Sequence, residues 1–122
     1  MARVNIPIHK LEDNNKFSAA IKTTDMAIAI DAADGGEIAW DVRDDKAIII
    51  VQNDGDGEAE VTIHHGNGIQ GTADLIVAVP AEYLAFVAID SGRFKNVSGA
   101  DKGKVIVTTN VEDVKVAVLA HP

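Results

Sequence analysis

The chain has 122 residues, of which 47% are apolar and 25% charged, and it contains no cysteine. This length fits one domain with a core of its own, so we expect residues 1–122 to form a single domain. The lack of cysteine excludes a disulfide framework, a thiol nucleophile and thiolate metal sites. A formal net charge of −8 opposes binding to phosphate backbones and anionic lipid, so neither nucleic acid nor a membrane is an expected partner.

The N-terminal residues show no secretion signal, and their apolar residues occur at every second position. The chain begins MARVNIPIHK, which has no apolar core of signal-peptide length. Val4, Ile6 and Ile8 alternate with other residues, as in a β-strand. Two interpretations stay open for residues 1–11. They form an extended arm that adds as a strand to a neighbouring protein, or they form the first strand of the domain itself.

Six further stretches, rich in Val and Ile, have the composition and period of β-strands. They comprise residues 26–30, 48–51, 60–64, 75–79, 104–108 and 114–118. Segments rich in Gly, Asp and Asn separate them. The pattern predicts an all-β fold, an antiparallel sandwich or barrel. Of these we expect an antiparallel β-sandwich, immunoglobulin-like or jelly-roll-like. The continuous apolar run at residues 48–51 further predicts a central strand buried on both faces.

The segment at residues 80–89 fits either a helix or a strand. A proline at a first helical position, Pro80, and a carboxylate in the first turn, Glu82, favour a helix. A strand would instead place Tyr83, Ala85, Val87 and Ile89 on one face. The sequence alone leaves both interpretations open.

The segments between the strands give further local predictions. Asp56-Gly57 stands between two predicted strands and predicts a β-hairpin. Residues 10–16 and 40–46 are charged and turn-prone, so neither is expected to form a core strand.

Two groups of residues could in principle hold a metal ion. His64 and His65 carry imidazoles, but adjacent strand residues point to opposite faces, so both rings reach one ion only if the chain bends. Residues 53–58 offer oxygen ligands at alternate positions, as calcium requires, without the EF-hand pattern. The sequence favours solvated histidines and a polar loop, so no metal is expected; calcium at 53–58 stays an open alternative.

Motifs that carry enzyme chemistry are weak in this chain. Ser18, Ser91 and Ser98 lie outside any G-x-S-x-G elbow. The string from Gly66 to Gly71 matches G-x-G-x-x-G, but a strand follows it where the dinucleotide fold needs a helix, so it is interpreted as a glycine-rich turn. With no convergent acid, base and nucleophile, we expect a protein that is not an enzyme, with no catalytic residues and no cofactor.

An ordered series of short motifs runs from about residue 35 to residue 119. It comprises Asp45-Lys46 before residues 48–51, Gly57 before Val61-Thr62-Ile63, Gly71 before Ala73-Asp74-Leu75, Val77-Ala78-Val79-Pro80-Ala81, Arg93-Phe94-Lys95-Asn96, Gly103-Lys104-Val105, and Val114-x-Val116-Ala117-Val118. In order and spacing, the chain resembles a set of small β-rich proteins encoded among the head genes of tailed bacteriophages. These are commonly taken as capsid decoration or auxiliary head proteins.

The resemblance implies an immunoglobulin-like sandwich that binds without catalysis. We therefore expect a structural protein of the virion that is made in the host cytoplasm and binds the major capsid protein on the capsid exterior. It would reinforce capsomer contacts, with self-association as a further expectation. Val4, Ile6 and Ile8 of the candidate arm are the expected capsid contacts. The alternative is an adhesion or carbohydrate-binding module of a surface protein, against which the low aromatic content of 4% counts.

Overall fold

The computed structural model describes residues 3–122, and within them ten β-strands form two sheets packed face to face. The strands are β1 (Val4–Asn5), β2 (Ile8–Lys10), β3 (Ile28–Ile30), β4 (Gly36–Ala39), β5 (Ala47–Asn53), β6 (Ala59–Ile63), β7 (Leu75–Val79), β8 (Leu84–Val87), β9 (Lys104–Thr109) and β10 (Val114–Ala120). A short helix, α1 (Ser91–Phe94), and 3-10 turns at Thr23–Asp25 and Asp44–Lys46 complete the elements. The predicted all-β sandwich is confirmed. No helix in this described range is long and apolar enough to cross a bilayer.

Sheet A has the strand order β1-β4-β9-β6-β7, and sheet B has the order β2-β10-β5-β8. β3 also pairs with β10, next to β2. All pairs are antiparallel except β1 with β4 and β2 with β10. The predicted antiparallel sandwich therefore holds for the central strands, and the two parallel pairs belong to the N-terminal segment.

The core lies between the inner faces of the two sheets and is dominated by Ile and Val. Alternate residues of β5, β6, β9 and β10 are buried, as a two-residue period requires. The fully buried large side chains are Ile6, Ile38, Trp40, Ile49, Val51, Val61, Ile63, Val79, Val105, Val107, Val114 and Val116. Trp40 was not expected in the core, because it stands in the charged segment that follows β4.

The predicted strands all occur, with ends that differ by a few residues. β5 is central in sheet B, as the run at residues 48–51 predicted, but the prediction that it is buried on both faces is wrong. Ile48 is 44% exposed and Ile50 half-buried, so the outer side of this strand stays partly open to solvent.

Residues 84–87 form strand β8, so the strand interpretation of the segment at residues 80–89 is correct and the helix interpretation is wrong. Pairing with β5 satisfies the backbone groups that a helix would have bonded internally. Ala85 and Val87 face the core and Ile89 is buried, as a strand predicts. Tyr83 is exposed because it lies in the turn, where its N–H donates to the carbonyl oxygen of Pro80 at 3.1 Å.

The hairpin predicted at Asp56-Gly57 is wrong, because β5 lies in sheet B and β6 in sheet A. Residues 54–58 cross between the sheets. Gly57 lacks the positive φ that a two-residue hairpin turn of type I′ requires. The buried amide of Asn53 holds the crossing instead, donating to the carbonyl oxygen of Gly57 at 2.8 Å and accepting from the N–H of Gly55 at 2.9 Å.

Candidate binding surface

The outer surface of sheet B carries an exposed cluster of large apolar side chains. Alternate residues of β5 point into the core, so Ile48 and Ile50 point to the outer surface. Leu84 and Phe86 of β8 share that surface, because Phe86 lies directly opposite Ile50 in the antiparallel register. We call Ile48, Ile50, Leu84 and Phe86 the apolar face.

The apolar face is contiguous and open to solvent. The exposed fractions are 69% for Phe86, 49% for Leu84 and 44% for Ile48. Leu119 of β10 lies opposite Ile48 and extends the cluster across the sheet. Contiguous exposed apolar surface of this kind marks contact sites for proteins or other apolar partners. Sequence analysis missed it, although both strands show uninterrupted apolar runs without a polar alternation to protect an outer face.

The outer surface of sheet A carries more polar side chains, and it also exposes Ile76 of β7, at 59% and opposite Thr62, while Ile106 of β9 lies opposite Glu37. Its outward positions include Glu37 of β4, Thr62 of β6, and Lys104 and Thr108 of β9. Lys104 and Glu37 form an ion pair of 2.7 Å, and Arg3 lies 3.5 Å from the same carboxylate. The two outer surfaces therefore differ: that of sheet A carries the ion pairs of Glu37, and that of sheet B carries the larger apolar cluster.

A groove of about 460 Å³ adjoins the apolar face at Leu119. Its walls come from β2 and from the loop at residues 11–26, including Leu11, Ile21 and Met26. The ring of His9 is hydrogen-bonded to the carbonyl oxygen of Met26 at 3.1 Å and ties this loop to β2. Phe17, in the same loop, is 92% exposed. The groove thus extends the apolar surface of sheet B toward the N-terminal strands.

Val4, Ile6 and Ile8, the predicted contacts of a capsid-binding arm, lie in the sandwich of their own chain. Val4 pairs with Gly36 in sheet A and Ile8 pairs with Val118 in sheet B. Ile6, between them, is 1% exposed and part of the core. The structure thus shows the alternative interpretation, in which these residues supply the first strands of the domain. Val4 alone of the three keeps an exposed side chain, at 37%.

The two adjacent histidines lie at a bend in the chain. β6 ends at Ile63, and beyond it both rings approach Asp74: the Nδ1 atom of His65 lies 2.6 Å from Oδ1, and that of His64 lies 3.7 Å from Oδ2. The bend is the condition under which both rings can reach one group. In the described part of the chain, no three His, Asp or Glu side chains are grouped so that they could hold a metal ion.

His64 also lies 2.6 Å from the hydroxyl of Thr108, through Nε2. Hydroxyl, imidazole and carboxylate stand here in the order of a catalytic triad, but the 3.7 Å between His64 and Asp74 exceeds a hydrogen bond. The N–H of His65 and its ring bond to Asp74 and hold the pKa of that carboxyl below its usual value. The cluster thus fastens the loop that follows β6 to sheet A.

The acidic loop at residues 53–58, considered for calcium, has its first oxygen ligands engaged within the protein. Asn53 is turned inward and buried. Asp54 accepts a hydrogen bond from Gln52 at 2.6 Å and pairs with Lys115 at 3.3 Å. The bond from Gln52, together with Lys115, lowers the pKa of Asp54. Asp56 and Glu58 are exposed on the loop.

Ser91, one of the serines considered as a nucleophile, begins helix α1 and is bonded to Asp44. Its N–H and its hydroxyl donate to the Asp44 carboxylate at 3.0 and 3.1 Å, and the indole N–H of Trp40 donates to the same group at 3.0 Å. Burial raises the pKa of Asp44, but these hydrogen bonds outweigh it and lower the pKa below its usual value. The arrangement anchors α1 to the 3-10 turn that precedes β5.

Comparison of the chain with protein-family models, with curated proteins and with solved structures returned no match.

Proposed function

We propose that this chain is a non-enzymatic structural protein of a tailed-bacteriophage particle, which binds the outer surface of the capsid through its apolar face and reinforces capsomer contacts. The observation that carries the proposal is the apolar face on two paired strands, where Ile48, Leu84 and Phe86 are exposed around the half-buried Ile50. The choice of the capsid as the partner rests on the resemblance of the motif series described above to phage decoration proteins. Because a capsid repeats the same surface many times, many copies of this chain would be bound to each virion.

The difference between the two outer surfaces determines which side of the protein faces the capsid. Burying Phe86, Leu84 and Ile48 against the capsid removes apolar area from water, at about 25 cal/mol per Å². The polar surface of sheet A then faces solvent with its Glu37–Lys104 and Arg3–Glu37 ion pairs. A net charge of −8 keeps the unassembled protein soluble, and repeated weak contacts over a lattice add up to strong reinforcement.

A carbohydrate-binding role is the second candidate, because Phe17, Tyr83 and Phe86 are exposed. Sugar platforms combine a ring with polar groups that bond the hydroxyls. Phe86 instead lies opposite Ile50, with Ile48 and Leu84 beside it. Its polar neighbour, Gln52, is already hydrogen-bonded to Asp54, so the site suits an apolar protein surface better.

Co-sedimentation with empty capsids tests the proposal. Under this proposal a major capsid gene lies near the gene for this chain, and its product supplies the capsids. Ile48→Lys and Phe86→Lys are each expected to weaken binding about tenfold or more, because each would bury a charge in an apolar contact. The matched control is Ile69→Lys, at a fully exposed position in the loop after β6, which is expected to bind like the wild type.

Two outcomes would contradict the proposal. One is a wild-type chain that stays in the supernatant with these capsids; binding to a glycan array by the same sample would then support the second candidate. The other is equal binding by Ile48→Lys, Phe86→Lys and the control. A Val4→Lys variant tests the N-terminal contact separately, because Val4 is exposed and its replacement leaves the buried Ile6 in place.

A further inference from the structure

The edge strands on one side of the sandwich carry the features that block pairing with other chains. β1, β2 and β3 have only two or three residues each, and Pro7 separates β1 from β2. Arg3 pairs with Asp101 at 3.0 Å beside β1, and Lys10 of β2 pairs with Asp41 at 3.2 Å. Short, charged strands interrupted by proline are the usual means of protecting a sheet edge.

On the opposite side of the sandwich the edge strands themselves carry no charge and no proline; Pro80 and Glu82 lie in the turn between them. These edge strands are β7 in sheet A, with the sequence LIVAV, and β8 in sheet B, with the sequence LAFV. Neither strand contains a charged residue, a proline or a glycine. Both expose large apolar side chains, Ile76 at 59% and Phe86 at 69%. Uncharged, apolar edges of this kind pair readily with a further strand.

The register of β8 identifies its open hydrogen-bonding groups. The N–H of Asn53 donates to the carbonyl oxygen of Tyr83 at 2.9 Å, so this pair is hydrogen-bonded. Bonded and non-bonded pairs alternate along an antiparallel ladder, which makes Ala85 and Val87 the next residues bonded to β5. The N–H and C=O groups of Leu84 and Phe86 therefore point away from β5 to the open edge.

We propose that two copies of this chain associate through β8, in an antiparallel pair related by a two-fold axis normal to sheet B. Sheet B of one copy then continues into sheet B of the other. The same axis brings the two β7 edges toward each other in sheet A. This inference concerns the strand edges and does not depend on the capsid contact proposed above.

Two observations favour a second copy as the occupant. Copies that each carry a charge of −8 repel one another, and the β7–β8 side is where the edge strands of both sheets are uncharged. A two-fold contact also consumes the same edge of both copies and leaves only the protected edges β1, β2 and β3 outside. Assembly through this side therefore stops at two.

Side-chain pairing selects one register. Leu84 lies opposite the partner's Phe86, and Phe86 opposite the partner's Leu84, so each open residue meets a large apolar neighbour. Shifting the pairing to place Phe86 opposite the partner's Phe86 would put Leu84 opposite the partner's Ala88, beyond the end of β8, and would replace large apolar partners with a small one.

Light scattering on the full chain, across micromolar to millimolar concentrations, tests the proposal. The wild type is expected to approach twice the monomer mass as its concentration rises. Leu84→Lys places a charge at the edge and is expected to remain monomeric. The matched control is Ile48→Lys, which makes a similar change at a similarly exposed position of the central strand β5 and is expected to dimerise like the wild type. A wild type that is monomeric throughout, or two variants that dimerise equally, would overturn the proposal.

Amide hydrogen exchange gives a second readout that does not need a variant. In the monomer, the N–H groups of Leu84 and Phe86 face solvent, whereas those of Ala85 and Val87 are bonded to β5. We expect exchange at Leu84 and Phe86 to slow as concentration rises, with no change at Ala85 and Val87. Fast exchange at Leu84 and Phe86 at every concentration would overturn the proposed pairing.

Discussion

The side chain of Asn53 is the most heavily bonded buried polar group in the described chain. Its amide nitrogen lies 2.8 Å from the carbonyl oxygen of Gly57, 3.0 Å from that of Val79 and 3.3 Å from that of Pro80. The first of these lies in the crossing from β5 to β6, and the other two lie at the crossing from β7 to β8. One amide therefore connects both places where the chain passes between the sheets on this side.

Replacing Asn53 with alanine is expected to lower the free energy of unfolding by about 3 kcal/mol, because several buried backbone groups lose their partner. Urea denaturation measures the change. Gln52→Ala is the control: Gln52 makes its one side-chain bond to Asp54 at the surface, and its loss should cost about 0.5 kcal/mol or less. Equal effects of the two variants would contradict this role of Asn53.

Three carboxyl groups, Asp44, Asp54 and Asp74, have pKa values held below their usual 3.8. A lowered pKa in the folded state stabilises the protein above pH 3.8, and this stabilisation is lost as the pH falls through the folded-state pKa.

The urea midpoint is therefore expected to decrease below pH 3.8. Asp74→Asn removes one of the three groups and should make the decrease shallower, although the variant is less stable at neutral pH. The contribution is modest, because Asp74 is partly exposed. If the urea midpoint of the variant decreased with acid as steeply as that of the wild type, Asp74 would not contribute to the pH dependence of stability.

Individual residues also show what sequence patterns could and could not predict. The strand at residues 75–79 was predicted with the bounds that β7 has, because strand composition and period are local information. The burial of Trp40 could not be predicted that way, because its place in the core depends on strands that are distant from it in the sequence. The exposure of Ile48 was not predicted either, because hydrophobicity alone does not show whether another layer of the protein covers a sheet.

At the scale of elements, the loop between β6 and β7 is a tight backbone-to-backbone packing unit. The N–H of Gly66 donates to the carbonyl oxygen of Arg93 at 2.8 Å, and a Cβ atom at Gly66 would overlap the backbone of Lys95. A Cβ atom at Gly71 would overlap the carbonyl group of Gly66. The G-x-G-x-x-G string is thus a glycine-rich turn, as predicted, and two of its glycines serve close backbone contact.

Gly71→Ala is expected to lower the free energy of unfolding by about 2 kcal/mol, because the added methyl group forces the loop apart. Gly57→Ala is the matched control, since nothing lies within 4 Å of a Cβ atom there. That variant should be neutral or more stable by up to about 1 kcal/mol, because alanine restricts the unfolded chain. Thermal unfolding of both variants checks the contrast, and a Gly71→Ala variant as stable as Gly57→Ala would refute the packing argument.

The order of elements in the sheets was harder to predict than the elements themselves. Turn residues such as Asp56-Gly57 indicate that the chain changes direction. They do not distinguish a hairpin within one sheet from a crossing between two sheets, because the chain turns in both. The difference lies in Asn53, whose bonds to Val79 and Pro80 exist only after distant segments meet. The apolar face follows from the same topology, because it requires β8 to pair with β5.

At the scale of the whole molecule, the N-terminal segment joins the two sheets. β1 extends sheet A beside β4, β2 extends sheet B beside β10, and Ile6 passes between them into the core. The methyl groups of Ile6 lie close to Gly36, where a Cβ atom would come within 2.7 Å of Ile6 Cδ1. Deleting residues 1–10 would therefore remove the core residue Ile6 together with any capsid contact. A loss of capsid binding in that variant could not be assigned to the contact alone.

Ile6→Ala is accordingly expected to destabilise the whole sandwich by about 3 kcal/mol, because it opens a cavity where both sheets meet. Val4→Ala, two residues away on the same segment but with an exposed side chain, should cost about 1 kcal/mol or less. Urea denaturation followed by Trp40 fluorescence measures both, since the indole is buried in the same core. If Ile6→Ala unfolded at the wild-type urea concentration, the N-terminal segment would be an arm resting on a sandwich that is stable without it.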